Sequence, residues 1–359
     1  MPLAEPFPTH RVRQPNSFRE LLSLTDEALA ARDIARVNLL CAEGLAGAEK
    51  IDHELCLRTI DRMAEAVYRR TDLRVFRQRP ERWDFSESIF RIHVMITVLQ
   101  RECGVRYNPA KIPIDVPLDM DDCFIHGIIQ GQGGTCGSLP VLYVAVGRRL
   151  GYPLKLVSAR GLQYGHFFAR WDEPCGERFN IEVNDTGFAS PPDDHYRTGL
   201  YLTQPDWEQS GSILKSKTPA EELAAFLSQR SARWRDEGRK RLEVEALAWA
   251  NGLSPQNRFY REFLMRAMRG WHDQLQAMMP PDFPVLFLQS AIRKFPEGLP
   301  PDLERDIVGL TVTEFLLNDP INNERWWEPM RRGVSLPGRP TRIIIHSTPH
   351  GYHIEESVS

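Results

Sequence analysis

Cys136 and His166 are the residues whose types and surroundings fit covalent chemistry in this chain. Cys136 follows Gly133-Gly134-Thr135 and precedes the apolar run LPVLYVAV. Pro140 lacks an N–H, so a helix tolerates it only in the first turn, where donors have no intrahelical partner. Cys136 is therefore expected at, or just before, a helix N-terminus. Free N–H groups and the helix dipole favour an anion there, and a thiolate is an anion. The same groups would hold the oxyanion formed when a thiolate attacks a carbonyl, with Gly137 as a candidate donor. The preceding glycines leave room for a substrate backbone.

A nucleophilic thiol needs a base and a group to orient that base. Downstream, HFFARW (166–171) and RFNIEV (178–183) flank a turn, DEPCG. A hairpin centred on Pro174 pairs Arg170 with Arg178, Phe168 with Asn180 and His166 with Glu182. Directly opposed residues share one face of a sheet, with Cβ atoms ~5 Å apart. This register sets a carboxylate beside the imidazole, where it fixes the ring and stabilises imidazolium. It also opposes two arginines, which is unfavourable. A bulge would shift the pairing and bring Asn180 or Asp185 to the site instead.

The elements that must position these groups follow from periodicity and turn chemistry. Ser17 is a plausible N-cap for a helix over FRELLSLTDEALAARD. Helical spacing recurs over residues 53–71 and over 86–103, where Ile89, Ile92, Met95, Ile96 and Leu99 share a face. DDCFIHGII reads as a short helix. Leu139, Leu142, Val146 and Leu150 run at helical spacing to Gly151 and Pro153, a stop signal. LKLVSA (154–159) joins the two runs of the hairpin as a third strand. From Pro219 the pattern is helical again.

The run GGTCGSLPVLYVAVGRRLGYPLKLVSARG, with GHFFARW and FNIEVNDTGF, resembles the transglutaminase-like superfamily. The likeness is to its SirB-type branch and covers roughly residues 17–270. It implies an α+β fold: a papain-like helix on a small antiparallel sheet, with a helical N-terminal region and tetratricopeptide-like C-terminal helices. It also implies a Cys–His–Asp triad. Cys136 and His166 match the first two positions; Glu182 stands where the family usually has Asp. In papain-like sites an upstream glutamine often donates to the oxyanion, which makes Gln130 and Gln132 candidates. The implied domains are a lead-in over 1–16, the enzyme-like domain over 17–215, a helical region over 216–325, and an arm or tail over 326–359. Some SirB-type members lack the cysteine. The alternative is thus an inactive module that binds a protein partner through its C-terminal helices.

The 359 residues are 42% apolar and 26% charged, ordinary values for a globular protein. With 45 Lys+Arg against 48 Asp+Glu, the net charge of −3 does not describe an electrostatic nucleic-acid binder. No apolar run approaches the roughly 20 residues of a membrane span, and the first residues lack a signal peptide's apolar core. Cys41, Cys56, Cys103, Cys123 and Cys175 are dispersed without a C-x-x-C pair and read as reduced thiols of a cytoplasmic protein. His346, His350 and His353 read as a solvated tail rather than a metal site, because Pro349 and Gly351 break helical spacing. Asp119, Asp121 and Asp122 could bind a cation, but Asp121 or Asp122 can cap the next helix, and capping is the favoured reading. The expected chemistry is attack on an amide or related acyl group of a peptide, a protein or a small amide, with no metal or organic cofactor.

Overall fold

A computed structural model describes residues 14–112, 116–160, 165–184, 186–198, 201 and 203–278, and the backbone of strands within 340–358. The chain packs as two compact units. One runs to Arg233 and includes Gln256–Arg258; the other holds Trp234–Pro255 and the chain from Phe259 onward.

The first unit begins with three short helices, α1 (Phe18–Leu22), α2 (Asp26–Ala30) and α3 (Ile34–Leu40). The sequence reads as one helix to Asp33, but each piece has its own N-cap. Ser17 accepts from Glu20 N, Thr25 from Ala28 N and Asp33 from Ala35 N. Side chains that satisfy first-turn donors start helices wherever they fall, and here they divide the pattern. Longer helices follow: α4 (His53–Arg70), α5 (Leu73–Gln78) and α6 (Glu87–Arg101). Ile92, Met95, Ile96 and Leu99 of α6 are buried, as their shared face requires. DDCFIHGII forms two single-turn helices, α7 (Met120–Cys123) and α8 (His126–Ile129).

Helix α9 (Leu139–Arg149) is buried from Leu139 to Gly147. It packs against α3 and α4 on one side and against strands β1 (Leu154–Arg160) and β2 (Gly165–Asp172) on the other. Its last turn is tied down by Arg149, which reaches Asp61 Oδ1 at 2.7 Å and Asp33 Oδ1 at 3.1 Å. Strand β3 (Arg178–Ile181) completes an antiparallel sheet in the order β1-β2-β3. The unit is thus α+β, a central helix laid on a three-stranded sheet.

The hairpin register differs from the simple expectation by two residues. Asp172 opposes Arg178, Trp171 opposes Phe179 and Arg170 opposes Asn180. The turn is Glu173–Glu177, closed by Glu173 N donating to Glu177 O at 3.1 Å, with Cys175 in the left-handed region at φ 60°. The shift removes the Arg170–Arg178 opposition: Arg178 meets Asp172, and Arg170 meets an amide.

The first unit continues with α10 (Pro205–Gln209) and most of α11 (Pro219–Asp236). The second contains α12 (Lys240–Leu253) and nearly all of α13 (Arg258–Met278). The tail read from sequence as an arm with one β-like run contains a hairpin, β4 (Pro340–Thr348) and β5 (Gly351–Val358), in which His346 opposes His353. His350 lies outside the described residues. Among the described residues, no helix is long and apolar enough to cross a membrane.

Gly147 sets the closest approach of α9 to the sheet. A Cβ there would lie 2.3 Å from Leu154 Cδ1, inside van der Waals contact. Gly147→Ala is expected to destabilise the fold by about 1–3 kcal/mol through overpacking, despite alanine's better helix propensity. A lowered urea-unfolding midpoint with an unchanged slope checks this.

Candidate active site

Cys136 sits in a turn just ahead of α9, two residues before its N-cap, Ser138. The turn is held by its own side chains. Thr135 O accepts from Ser138 N at 3.1 Å and Leu139 N at 2.9 Å, so helical bonding already starts at Thr135. Thr135 N donates to Ser138 Oγ at 3.1 Å, and both hydroxyls donate to Asp122 O at 2.8 Å. Asp122 is itself fixed and buried. Its carboxylate accepts from Asn108 Nδ2 at 3.1 Å, from Asp119 N at 2.9 Å and from Lys111 Nζ at 3.0 Å. The cap of α7 is Asp119 rather than the expected Asp121 or Asp122: Asp119 caps the helix, Asp122 returns the bond in a reciprocal capping box, and Asp121 pairs with His126 instead.

This packing decides which amides face the thiol. Gly137 N donates to Thr135 Oγ1 at 3.1 Å, so it is already committed and is not an open oxyanion donor. Among the described residues the Cys136 N–H makes no hydrogen bond, and it is the open donor of the turn. Gln130 and Gln132 are both exposed, and among the described residues neither side chain bonds to the site. Tyr107 was not legible as a neighbour. It pairs with Gly134 in an isolated parallel bridge, and burial together with the charge of Cys136 pushes its phenol up to about 12.

His166 lies on β2, immediately after Gly165, whose carbonyl is 3.9 Å from Cys136 Sγ. On one side the imidazole lies near enough to Cys136 for the thiol to favour its protonated form. On the other, Nε2 meets Glu182 Oε2 at 2.8 Å, which leaves Nδ1 for the thiol. Cys136 is half-buried, while the His166 and Glu182 side chains are 12% and 11% exposed. Three groups separated in sequence are thus assembled as Cys136–His166–Glu182.

Glu182 reaches His166 by a route other than direct cross-strand opposition. Regular pairing ends at Ala169 opposite Ile181. Glu182 then bridges to Ala189, its N–H donating to Ala189 O at 3.0 Å. Its Oε1 accepts from Val183 N at 3.0 Å, Asn184 N at 3.3 Å and Asn184 Nδ2 at 2.7 Å. Oε2 accepts from Tyr196 Oη at 3.1 Å as well as from His166. Burial favours the neutral acid, but these donors outweigh it and hold the carboxyl below its usual range.

Asn180, a support candidate, points elsewhere. Its Oδ1 accepts from Arg170 Nε at 2.7 Å, and its Nδ2 donates to Asp193 Oδ1 at 2.8 Å and Pro191 O at 2.9 Å. Asp185 lies outside the described residues. Among the described residues, no cluster of three His, Cys, Asp or Glu side chains is arranged for a metal ion.

The other thiols differ in setting. Burial raises Cys41 and Cys123 to about 12 and Cys56 to about 11, and Cys103 is raised by the same cause. These are thiols held in their neutral form. Cys175 is exposed at the hairpin tip.

Comparison with known proteins returned no matching family model, no matching curated protein and no matching solved structure.

For His166, burial opposes the charge, but the hydrogen bonds to Cys136 and Glu182 prevail and lift it from 6.5 to about 9. A group with a raised folded-state pKa contributes stability that is full below its unfolded value and is lost as pH climbs through the folded one. The stability difference between wild type and His166→Gln is expected to shrink between pH 6.5 and about 9. The change is on the order of 3 kcal/mol, since one pKa unit is about 1.4 kcal/mol. Denaturant unfolding of both proteins across that range measures it.

Proposed function

We propose that this chain is a transglutaminase-like cysteine enzyme with a papain-like core, acting on an amide or related acyl group. The observation that carries the reading is the contact sequence from thiol to imidazole to buried carboxylate, with the thiol half-open to solvent. A helix starting beside the cysteine and laid on an antiparallel sheet supports the papain-like assignment.

In this reading His166 takes the thiol proton at Nδ1, and the Cys136 thiolate attacks the substrate carbonyl. The new C–S bond leaves negative charge on oxygen, which the open Cys136 N–H holds. As the intermediate collapses, the C–N bond breaks and the His166 imidazolium returns its proton to the departing amine. Water or an amine then attacks the thioester, giving hydrolysis or acyl transfer and restoring the thiol. Glu182 keeps the imidazole in one orientation and balances its charge throughout. The fitting substrates are a peptide, a protein or a small amide.

A thiol-directed acyl electrophile with peptide-resolved readout tests this. Label is expected at Cys136 and absent in Cys136→Ala, and His166→Ala is expected to slow acylation by roughly 10²–10⁴-fold. Turnover should fall as pH rises through about 9, where the imidazolium is lost. Equal labelling of wild type and Cys136→Ala would sink the proposal.

A further inference from the structure

The Glu182 carboxylate has a donor that the sequence did not disclose. Tyr196 is fully buried, and its hydroxyl donates to the same oxygen, Oε2, that meets His166. Its ring stacks on Phe168, with centroids 4.2 Å apart and planes within 1°. It also lies 5.9 Å from the His166 ring, while Tyr201 lies 5.2 Å away on that same imidazole. Aromatic faces near an imidazolium favour its charge and exclude water.

Tyr196 does not reach Glu182 by accident of packing. It belongs to a short 3-10 turn, Asp193–Arg197, whose first residue is anchored by Arg170. The Arg170 guanidinium is 1% exposed. It donates to Asp193 Oδ1 at 2.5 Å, to Asn180 Oδ1 at 2.7 Å and to Leu214 O at 2.9 Å. A buried cation with three fixed acceptors holds the turn against the sheet, and the turn delivers the phenol to the carboxylate. Leu214 accepts this bond while in the left-handed region, at φ 57°, a conformation that costs a branched residue energy.

We propose that Tyr196 is a positioning residue of the Cys136–His166–Glu182 site: its hydroxyl fixes Glu182 Oε2 and shares that oxygen's charge with His166. The inference rests on the catalytic reading for its consequence but not for its geometry. An oxygen with two donors gives each less charge than an oxygen with one. Tyr196 therefore sets both the aim of the imidazole and its basicity.

Tyr196→Phe isolates the hydroxyl, because phenylalanine keeps the stack on Phe168 and the wall beside His166. The imidazole resonance of His166, assigned by its absence in His166→Gln, is followed by NMR through an alkaline titration. In folded Tyr196→Phe the midpoint is expected to rise by about half a pH unit or more, because Oε2 then serves a single donor. Acylation of Cys136 is expected to slow roughly tenfold, the scale of one lost charge-assisted hydrogen bond. A purely structural tyrosine would lower the melting temperature and leave the midpoint in place. An unmoved or lowered midpoint in folded Tyr196→Phe overturns the proposal. If wild-type Cys136 takes no label while the midpoint still rises, the enzyme reading fails and the positioning role stands. Should Tyr196→Phe not fold, Asn184→Asp, which recharges the other side of the carboxylate, must move the midpoint instead; an unmoved midpoint there overturns the proposal equally.

Discussion

A carboxylate buried beside an imidazole is the constraint on which this site depends. Removing Glu182 from water costs several kcal/mol unless its lone pairs are met by donors. Five donors meet it, from His166, Val183, Asn184 (twice) and Tyr196. They come from three places along the chain: β2, the segment after β3, and the 193–197 turn. The chain beyond β3 must therefore fold back over the sheet, and the Glu182–Ala189 bridge begins that return. The same demand explains why Arg170 is buried. Its charge is answered by Asp193 and by oxygens of Asn180 and Leu214, which bind the returning segment in place.

Much of the frame could be read from residue order. Pro140 placed Cys136 ahead of a helix, and the helix begins at Leu139. Runs rich in Val, Ile, Phe and Trp between turn residues located three strands to within two residues, the largest difference being the early end of β3, where the chain leaves the sheet with Glu182. The hairpin register was not legible, although the sequence contained a sign of the error. Opposed Arg170 and Arg178 have no physical justification, and a five-residue turn with Cys175 in the left-handed region relieves them. The turn keeps five residues but is centred on Cys175 rather than Pro174, because a non-glycine residue at positive φ leaves no distinct mark in the sequence.

The pairing of His166 with Glu182 was expected from that wrong register, yet the two side chains meet. The agreement comes from a different geometry. Glu182 lies past the last regular pair of β3, where the strand leaves the sheet and its carboxyl turns back. Gly137 shows the opposite outcome. Its position beside Cys136 makes it an obvious oxyanion donor, but Thr135 Oγ1 takes its N–H. A threonine hydroxyl that accepts the N–H two residues on closes a local turn, and an amide so committed is not available to a substrate. Local chemistry of this kind is present in the sequence; which of two neighbouring amides it consumes is settled only by the turn's dihedral angles.

Reactivity among the six cysteines follows from desolvation and partnership. Cys41, Cys56 and Cys123 are buried, and burial raises the cost of their anions by more than the charges of Arg230 near Cys41 and Arg233 near Cys123 offset. Cys136 is the thiol placed against an imidazole whose own basicity is lifted to about 9. Burial alone would drive His166 toward its neutral form; Cys136 and Glu182 together outweigh it. The carboxylate therefore does more than aim the ring: together with Cys136 it reverses the burial effect on the base. That reversal is why a buried carboxylate, with all the structure needed to satisfy it, is matched to a half-open thiol rather than to one sealed in the core.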